Sequence, residues 1–421
     1  MRAFSWCIVV CLFVSWVTLG CVDPIEQTLA GTVDVIVVDG TLTNRAEPQR
    51  ILLNRSRADP ISGRFGVLPI TQATVEILVD SAQVISCLES VEGIYRLPSD
   101  FKGRVGHAYQ LRFTLPDGTR YASSTQIMPD VPPIERLSVV FNATSLPPGL
   151  YSSGFRAGYD VLLSTRDPAT QRNYYRWDWR LTEKQHWCKS CYKSVYLDSL
   201  QEQYLQNGQL VTTRKAVEAC VESTVNVLDR DYYNDYTCRT PCWEIISNST
   251  INLFDDQLTN GGFLMNRTVG QVPLLTRQPA LLEVRQLSLT RDAYQFYQRL
   301  QQQTQNTGGL ADTPPSAPVG NLHNMANREE IVVGFFTASA VATTRLWLDK
   351  RDATRLPYGS YDESGQIVKF EDELFYSLIR RVPVLGASAT PFTPGALPRL
   401  VTAPCLAGTN RTPIKPEGWR D

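Results

Sequence analysis

The chain has 421 residues, a formal net charge of -1, and 43% hydrophobic and 10% aromatic residues. This composition is sufficient for packed cores and excludes wholesale disorder, while the lack of a basic excess argues against nucleic acid as a partner. At about 150 residues per domain, the length predicts two or three domains. Beyond the N-terminus, the sequence contains no apolar run long enough to cross a bilayer.

The N-terminal segment has the pattern of a bacterial lipoprotein export signal. Arg2 supplies a positive charge, residues 8–17 are apolar, and small and apolar residues lead into Cys21. We expect cleavage before Cys21, so that residues 1–20 are the signal peptide, the Cys21 thiol carries lipid, and residues 21–32 form a tether. An ordinary secretory peptide and a retained anchor are the alternatives, although an anchor needs about 20 apolar residues.

Residues 33–133 are predicted to form a β-sandwich. Short strand-like runs begin near residues 33, 49, 73, 107 and 119, and several of them alternate between apolar and polar residues. Pro-Asp-Gly at residues 116–118 is a strong hairpin signal. The proline-rich stretch at residues 129–133 predicts a stiff domain boundary, because proline fixes φ and removes a backbone donor.

Residues 134–421 are predicted to form a larger β-rich domain. Residues 159–164 and 174–181 have the pattern of antiparallel strands around a turn at Asp167-Pro168. The second of these strands has one apolar face (Tyr175, Trp177, Trp179, Leu181) and one polar face (Arg176, Asp178, Arg180), which is typical of a half-buried strand. Further strands are predicted at residues 281–289, 330–336 and 344–348.

One helix is predicted near residues 290–305. Thr290 has the identity of an N-cap, and Gly308-Gly309 follow the segment. Apolar residues recur at helical spacing at Ala293, Phe296, Tyr297 and Leu300. The fold class is therefore mainly all-β, with one short helix packed on a sheet.

The cysteine pattern predicts disulfides, because an exported chain folds in an oxidising compartment. Cys7 and Cys11 leave with the signal peptide, and Cys87 lies apart in a strand-like run as an expected buried free thiol. Six cysteines remain, and they could form three bridges in 15 ways. These disulfide candidates are Cys188, Cys191, Cys220, Cys238, Cys242 and Cys405.

Three other interpretations of this region are weaker. Trp187-Cys-Lys-Ser-Cys191 matches a thioredoxin-type motif but lacks the βαβ setting, and the spacing of Cys188, Cys191, Cys238 and Cys242 only roughly suits zinc. Residues 229–235 offer oxygen ligands for calcium but fail the EF-hand pattern. The three histidines are scattered and no catalytic motif is present, so we expect no catalytic residue, no metal and no cofactor.

Residues 186–243 form a Cys- and Tyr-rich insertion in the larger domain. Two interpretations are open: a cross-linked recognition surface, since tyrosine supplies contact area at low entropy cost, or disulfides that merely hold a long insertion together. The candidate recognition residues are Tyr192, Tyr196, Tyr204, Tyr232, Tyr233 and Tyr236.

Several stretches together resemble a known family, the outer-membrane lipoproteins of Bacteroidota grouped as domain of unknown function 4249. The resemblance covers nearly the whole mature chain and is strongest in residues 37–44, 242–243, 294–297, 303–310, 314–315, 320–324, 333–339, 405–410 and 415–419. Members often carry a second cysteine near the tail, whereas here Cys405 stands alone. The resemblance implies an Ig-like N-terminal domain, a larger β-rich domain, and an accessory role beside TonB-dependent transporters.

From these features we expect a non-enzymatic lipoprotein of the outer membrane that faces the cell surface. It would bind a small-molecule, peptide or glycan ligand, or dock on the barrel of a TonB-dependent receptor. An adhesin or structural envelope protein is the alternative, and a glycan- or peptide-active enzyme comes third. Acidic residues after the lipid site, Asp23 and Glu26, suit surface export by the same resemblance.

Overall fold

A computed structural model describes residues 34–58, 65–150, 155–169, 171–192, 194–222, 233–304, 319–353, 382–383 and 402–421. The predicted signal peptide, the lipidation site at Cys21 and the tether lie outside these residues. The prediction of an all-β fold is confirmed, because strands dominate the described chain. None of its helices has the length and apolar character that crossing a membrane requires.

The strands up to residue 133 are short and mostly alternate between buried and partly exposed residues. They are β1 (Asp34–Thr43), β2 (Arg50–Ala58), β3 (Phe65–Pro69), β4 (Thr74–Val79), β5 (Gln83–Val91), β6 (Ile94–Arg96), β7 (Ala108–Thr114), β8 (Arg120–Ser123) and β9 (Gln126–Ile127).

Longer strands follow. They are β10 (Ile134–Asn142), β11 (Gly158–Arg166), β12 (Tyr174–Lys184), β13 (Trp187–Tyr192), β14 (Ser194–Gln206), β15 (Gln209–Glu222), β16 (Tyr233–Thr237), β17 (Trp243–Ser247), β18 (Asn252–Asp255), β19 (Phe263–Pro273), β20 (Ala280–Ser288), β21 (Leu322–Asn324), β22 (Val332–Ser339), β23 (Val341–Leu348), β24 (Val382–Pro383) and β25 (Arg411–Thr412). A helix, α1 (Arg291–Thr304), lies between β20 and β21.

The N-terminal unit is an eleven-stranded sheet in the order β21-β8-β7-β4-β5-β6-β2-β1-β22, with β3 on β2 and β9 on β7. The predicted hairpin is confirmed, because β7 and β8 pair around Pro116–Gly118. Residues of both halves of the sheet, such as Leu53 and Leu111, belong to one hydrophobic core in which each is 0% exposed. The sheet therefore folds back on itself around that core.

The predicted boundary at residue 133 is wrong for two strands. Residues 134–421 were assigned to the second domain, but β21 pairs with β8 and β22 pairs with β1 in the N-terminal unit. The pairing of β22 is parallel, with Ile36 opposite Val332 and Thr43 opposite Ser339. A parallel partner must come from a distant crossover, so the local pattern of the first 133 residues could not reveal it.

Gly334 makes the close pairing of β22 with β1 possible. Its φ is +104°, and a Cβ at this position would lie 1.8 Å from the Val38 carbonyl oxygen. Only a residue without a side chain can adopt this conformation at this distance.

The C-terminal unit packs two sheets face to face. One is β10-β11-β19, and the other is β23-β20-β12-β17-β25 with β18 on β12. The core between them contains the predicted apolar face of β12, in which Tyr175 and Leu181 are 0% exposed, together with Tyr159, Val161 and Leu163 from β11. The prediction of this buried face is confirmed.

The predicted pairing of residues 159–164 with 174–181 is wrong. β11 pairs with β10 and β19, whereas β12 pairs with β17, β18 and β20 in the other sheet. The segment between β11 and β12 passes from one sheet to the other instead of making a tight turn. Asp167, in this segment, is hydrogen-bonded to the loop before β19. Its N–H donates to the Gly262 carbonyl, and its carboxylate accepts from the Tyr175 hydroxyl and from the Gly261 N–H.

The predicted helix is confirmed and lies between the two units. The Thr290 hydroxyl accepts a hydrogen bond from the Ala293 N–H at 3.3 Å, as an N-cap does. The apolar face of α1 packs on both units, because Phe296 lies 5.0 Å from Phe335 of β22 and Tyr294 lies 4.9 Å from Tyr174 of β12, measured between ring centroids. The helix therefore helps to fix how the units meet.

Candidate functional site

The cysteines form a cross-linked lobe, which we define as the described part of residues 186–242 with Cys405. The three disulfides are Cys188–Cys238, Cys191–Cys220 and Cys242–Cys405. Cys87 is free and buried, and burial raises the pKa of its thiol to about 12. The six predicted bridge candidates therefore pair with one another, and the tail cysteine pairs with Cys242.

These pairings contradict the thioredoxin-type and zinc interpretations. Cys188 and Cys191 belong to different bridges, so they are not a dithiol pair that could cycle. The sulfur atoms of Cys188, Cys238 and Cys242 lie within 4.8 Å of one another, but all three are oxidised, and zinc binds thiolates. Most of the weak calcium candidate at residues 229–235 lies outside the described residues or has no described side chain.

Two of the six candidate recognition tyrosines, Tyr196 and Tyr236, are buried inside the lobe and so cannot belong to a recognition surface. Tyr196 and Tyr236 are 1% and 3% exposed, and the Tyr236 hydroxyl accepts a hydrogen bond from the Tyr196 N–H. They pack among the disulfides, so their apolar rings build a small core. Tyr192 and Tyr204 are exposed, while Tyr232 and the side chain of Tyr233 lie outside the description.

The three histidines lie in separate surroundings. His107 Nδ1 is 2.6 Å from Asp80 in the N-terminal unit, and His186 Nε2 is 3.1 Å from the Gln278 side-chain oxygen. His323 lies on β21. The structure thus brings no two of them together as a catalytic pair or a metal site.

A cleft of about 620 Å³ lies where the two units meet. One wall is the outer face of β1, because Val37, Asp39 and Thr41 line the cleft while Ile36 and Leu42 point into the core. The whole lining is Val37, Val38, Asp39, Thr41, Thr43, Glu47, Pro48, Gln49, Arg50, Leu52, Arg176, Asp178, Arg180, Ile251, Arg285, Leu287, Phe296, Tyr297, Leu300, Val333, Gly334 and Phe335. Its volume is in the range of small-molecule sites.

The opposite wall is the polar face of β12. Arg176, Asp178 and Arg180 line the cleft because the alternate side chains of this strand fill the core of the C-terminal unit. From the sequence we interpreted this polar face only as the outer face of a half-buried strand. The Arg-x-Asp-x-Arg spacing places charges of both signs in one row, and it is the sequence signal that could have identified this face as part of a candidate site.

Arg176 is held tightly in this wall. Its guanidinium donates to Asp178 at 2.8 Å and lies over the Tyr297 ring, 4.7 Å from the centroid. Burial opposes its charge, but the Asp178 carboxylate and the Tyr297 side chain outweigh burial and raise its pKa. Its Nε is buried and has no hydrogen-bond partner in the described part of the chain.

The remaining arginines of the cleft fall into two kinds. Arg285 of β20 donates to Glu47 of the N-terminal unit, so this ion pair bridges the two units. Arg50 on β2 and Arg180 on β12 are exposed, and neither side chain has an acidic or hydrogen-bonding partner among the residues described. Two of the four guanidinium groups are therefore already neutralised and two are open.

A second cavity, of about 670 Å³, lies over the connection between β11 and β12, with Asp167 in its lining. Asp167 is 2% exposed and lies near the fully buried Asp256, whose Oδ2 accepts a hydrogen bond from the Asn173 N–H at 2.8 Å. Burial raises the pKa of Asp256, the Asn173 N–H lowers it, and the Asp167 carboxyl raises it further, so that the pKa lies above its ordinary value.

Comparison with known proteins gives one family. Residues 22–345 match the family described as "Domain of unknown function (DUF4249)". The chain belongs to this family. No curated protein and no solved structure matches this DUF4249 protein. The matched region begins directly after Cys21 and includes every lining residue of the cleft.

Proposed function

We propose that this DUF4249 protein is a non-catalytic lipoprotein of the outer membrane that faces the cell surface and binds a ligand for a TonB-dependent transporter. The observation that carries the binding role is the cleft between the two units, with Arg50 and Arg180 open on opposite walls. Ligand sites are commonly found at such junctions between domains.

The composition of the cleft favours binding over catalysis. Its lining contains no histidine, cysteine, serine or lysine in the described residues. Two of its three carboxylates, those of Asp178 and Glu47, form ion pairs with arginines of the same cleft. A general acid or base must instead be within reach of the substrate proton that it transfers, and these two carboxylates are already engaged.

The sequence before the matched region supports the membrane anchor. Residues 1–21 have the order of a lipoprotein signal, and the family match starts at the residue after Cys21. One lipid chain gives only marginal membrane binding, so the several chains of a bacterial lipoprotein would hold the protein at the surface.

The decisive experiment is affinity purification of the tagged full-length protein from detergent-solubilised membranes. We expect a TonB-dependent barrel to co-purify, and its absence would favour an adhesin or structural envelope protein. The variant Cys21→Ala should leave the membrane fraction, whereas Cys11→Ala, which alters a cysteine of the signal peptide, should remain there. Retention of Cys21→Ala would contradict the lipid anchor.

A further inference from the structure

The two unpaired arginines of the cleft, Arg50 and Arg180, have too few carboxylates beside them to neutralise both charges. Arg176 is paired with Asp178 and Arg285 with Glu47, so these four side chains cancel. Arg50 and Arg180 remain, against the single exposed carboxylate of Asp39. The cleft thus keeps one net positive charge and two guanidinium groups whose donors are free for a ligand.

The positive charge continues beyond the cleft. Glu47 also lines an adjoining cavity of about 420 Å³, in which Arg45 and Lys102 are exposed and Arg345 is paired with Glu417. A cleft with cations on its walls and at its rim raises the local concentration of anions and speeds their association.

The lining of the cleft also contains apolar side chains. Five aliphatic side chains there are partly exposed: Val37, Leu52, Ile251, Leu300 and Val333. Phe296 and Phe335 lie behind them, nearly buried against each other. Exposed aliphatic surface in a concave site gains free energy when an apolar group covers it.

The arrangement is also preformed. Arg176 is fixed by Asp178 and by the Tyr297 ring, and the Glu47–Arg285 pair ties the two walls together. A ligand would meet a site in which few side chains need ordering, and this lowers the entropic cost of binding.

We propose that the cleft binds an amphipathic organic anion, a molecule with a carboxylate head and a short apolar body. This inference rests on the proposed binding function. The head would pair with Arg50 and Arg180, and the body would cover Leu52, Leu300 and Val333. An inorganic anion would leave these aliphatic side chains exposed, and a cation of the same shape would meet two unpaired arginines.

The test is calorimetric titration of the full-length protein with octanoate, octylammonium and acetate. Octanoate has both parts of the proposed ligand, octylammonium reverses the head charge, and acetate lacks the body. We expect binding of octanoate alone. The double variant Arg50→Gln/Arg180→Gln should weaken it by about tenfold or more, because charge-assisted hydrogen bonds are lost.

Matched variants separate this effect from a loss of folding. Arg136→Gln removes an exposed arginine of β10 outside the cleft, and Leu258→Gln removes a leucine that is 94% exposed. Both should bind octanoate as the unaltered protein does, whereas Leu300→Gln should weaken binding. Unchanged thermal unfolding of Arg50→Gln/Arg180→Gln would show that its fold is intact.

The outcomes distinguish the two proposals. Equal binding of octylammonium, or an effect of Arg50→Gln/Arg180→Gln no larger than that of Arg136→Gln, would overturn the ligand class while the binding role stands. Failure of all three probes would overturn the inference. If a transporter co-purifies but octanoate does not bind, the proposed partnership with the transporter is supported and the amphipathic anion is rejected as the ligand.

Discussion

Glu47 and Arg285 join the two units of the chain across 238 positions of sequence. The Arg285 side chain is 9% exposed and that of Glu47 is 32% exposed, so the guanidinium depends on this carboxylate more than the reverse. Because the pair spans the cleft, it couples the geometry of the candidate site to the stability of the whole fold.

We therefore expect Glu47→Gln to destabilise the protein by about 1–3 kcal/mol, because it leaves a nearly buried cation unpaired. The control is Glu135→Gln, whose partner Arg166 lies 3.8 Å away with both side chains exposed, and which should change stability by less than about 0.5 kcal/mol. Urea unfolding of both variants measures the difference. Equal effects would mean that the bridge between the units contributes nothing.

Asp256 should make the stability of the protein depend on pH. Since the pKa of Asp256 is raised in the folded state, the folded protein holds a proton that the unfolded chain releases above about pH 4. The stabilisation is complete below the unfolded pKa, and it is lost as pH rises through the folded pKa. Relative to the native sequence, Asp256→Asn should therefore become more stable as pH rises.

Urea unfolding between pH 4 and 8 checks this sign. The exposed Asp100 provides the control, because Asp100→Asn should follow the native profile in parallel. A constant difference between Asp256→Asn and the native protein across this range would exclude a raised pKa for Asp256.

Gly334 should tolerate no side chain. Gly334→Ala would place a Cβ against the Val38 carbonyl in addition to straining a φ of +104°. Gly106 has a φ of +81° with nothing within 4 Å of a Cβ, so Gly106→Ala isolates the backbone strain, about 1–2 kcal/mol. We expect Gly334→Ala to cost clearly more and to increase amide exchange in β1 and β22. Equal costs would place β22 farther from β1 than described.

The disulfide pattern can be mapped directly. Peptide mapping under non-reducing conditions should recover Cys188–Cys238, Cys191–Cys220 and Cys242–Cys405. Cys87 should react with a maleimide only after unfolding, because its thiol is buried and burial raises its pKa to about 12. Labelling of several lobe cysteines in the native protein would restore the zinc interpretation.

Local patterns predicted local structure well. The alternation of apolar residues placed Tyr175 and Trp177 in a core, and spacing with an N-cap placed α1. These signals work because strand and helix periodicities act within a few residues. The six predicted bridge cysteines also pair among themselves, although their number and spacing did not determine which pairs form.

Contacts between segments that are far apart in the sequence could not be predicted from local patterns. The pairing of β22 with β1 depends on Gly334, whose close approach to Val38 has no local signature. The cleft likewise arises from the outer faces of two units, and each face alone has the pattern of ordinary surface. Tyr196 and Tyr236 were interpreted as surface because tyrosine density does not reveal which rings the disulfides enclose.

The parallel strand β22 has a consequence for the order in which the chain folds. The hydrogen-bonded hydroxyls of Thr41 and Thr337 are 296 positions apart in the sequence. One edge of the N-terminal sheet, at β1, therefore stays unpaired until most of the C-terminal unit has been synthesised. An open edge attracts other strands, and such delay makes a nascent chain vulnerable to aggregation. Correct folding therefore requires that β1 does not pair with another chain before β22 is available.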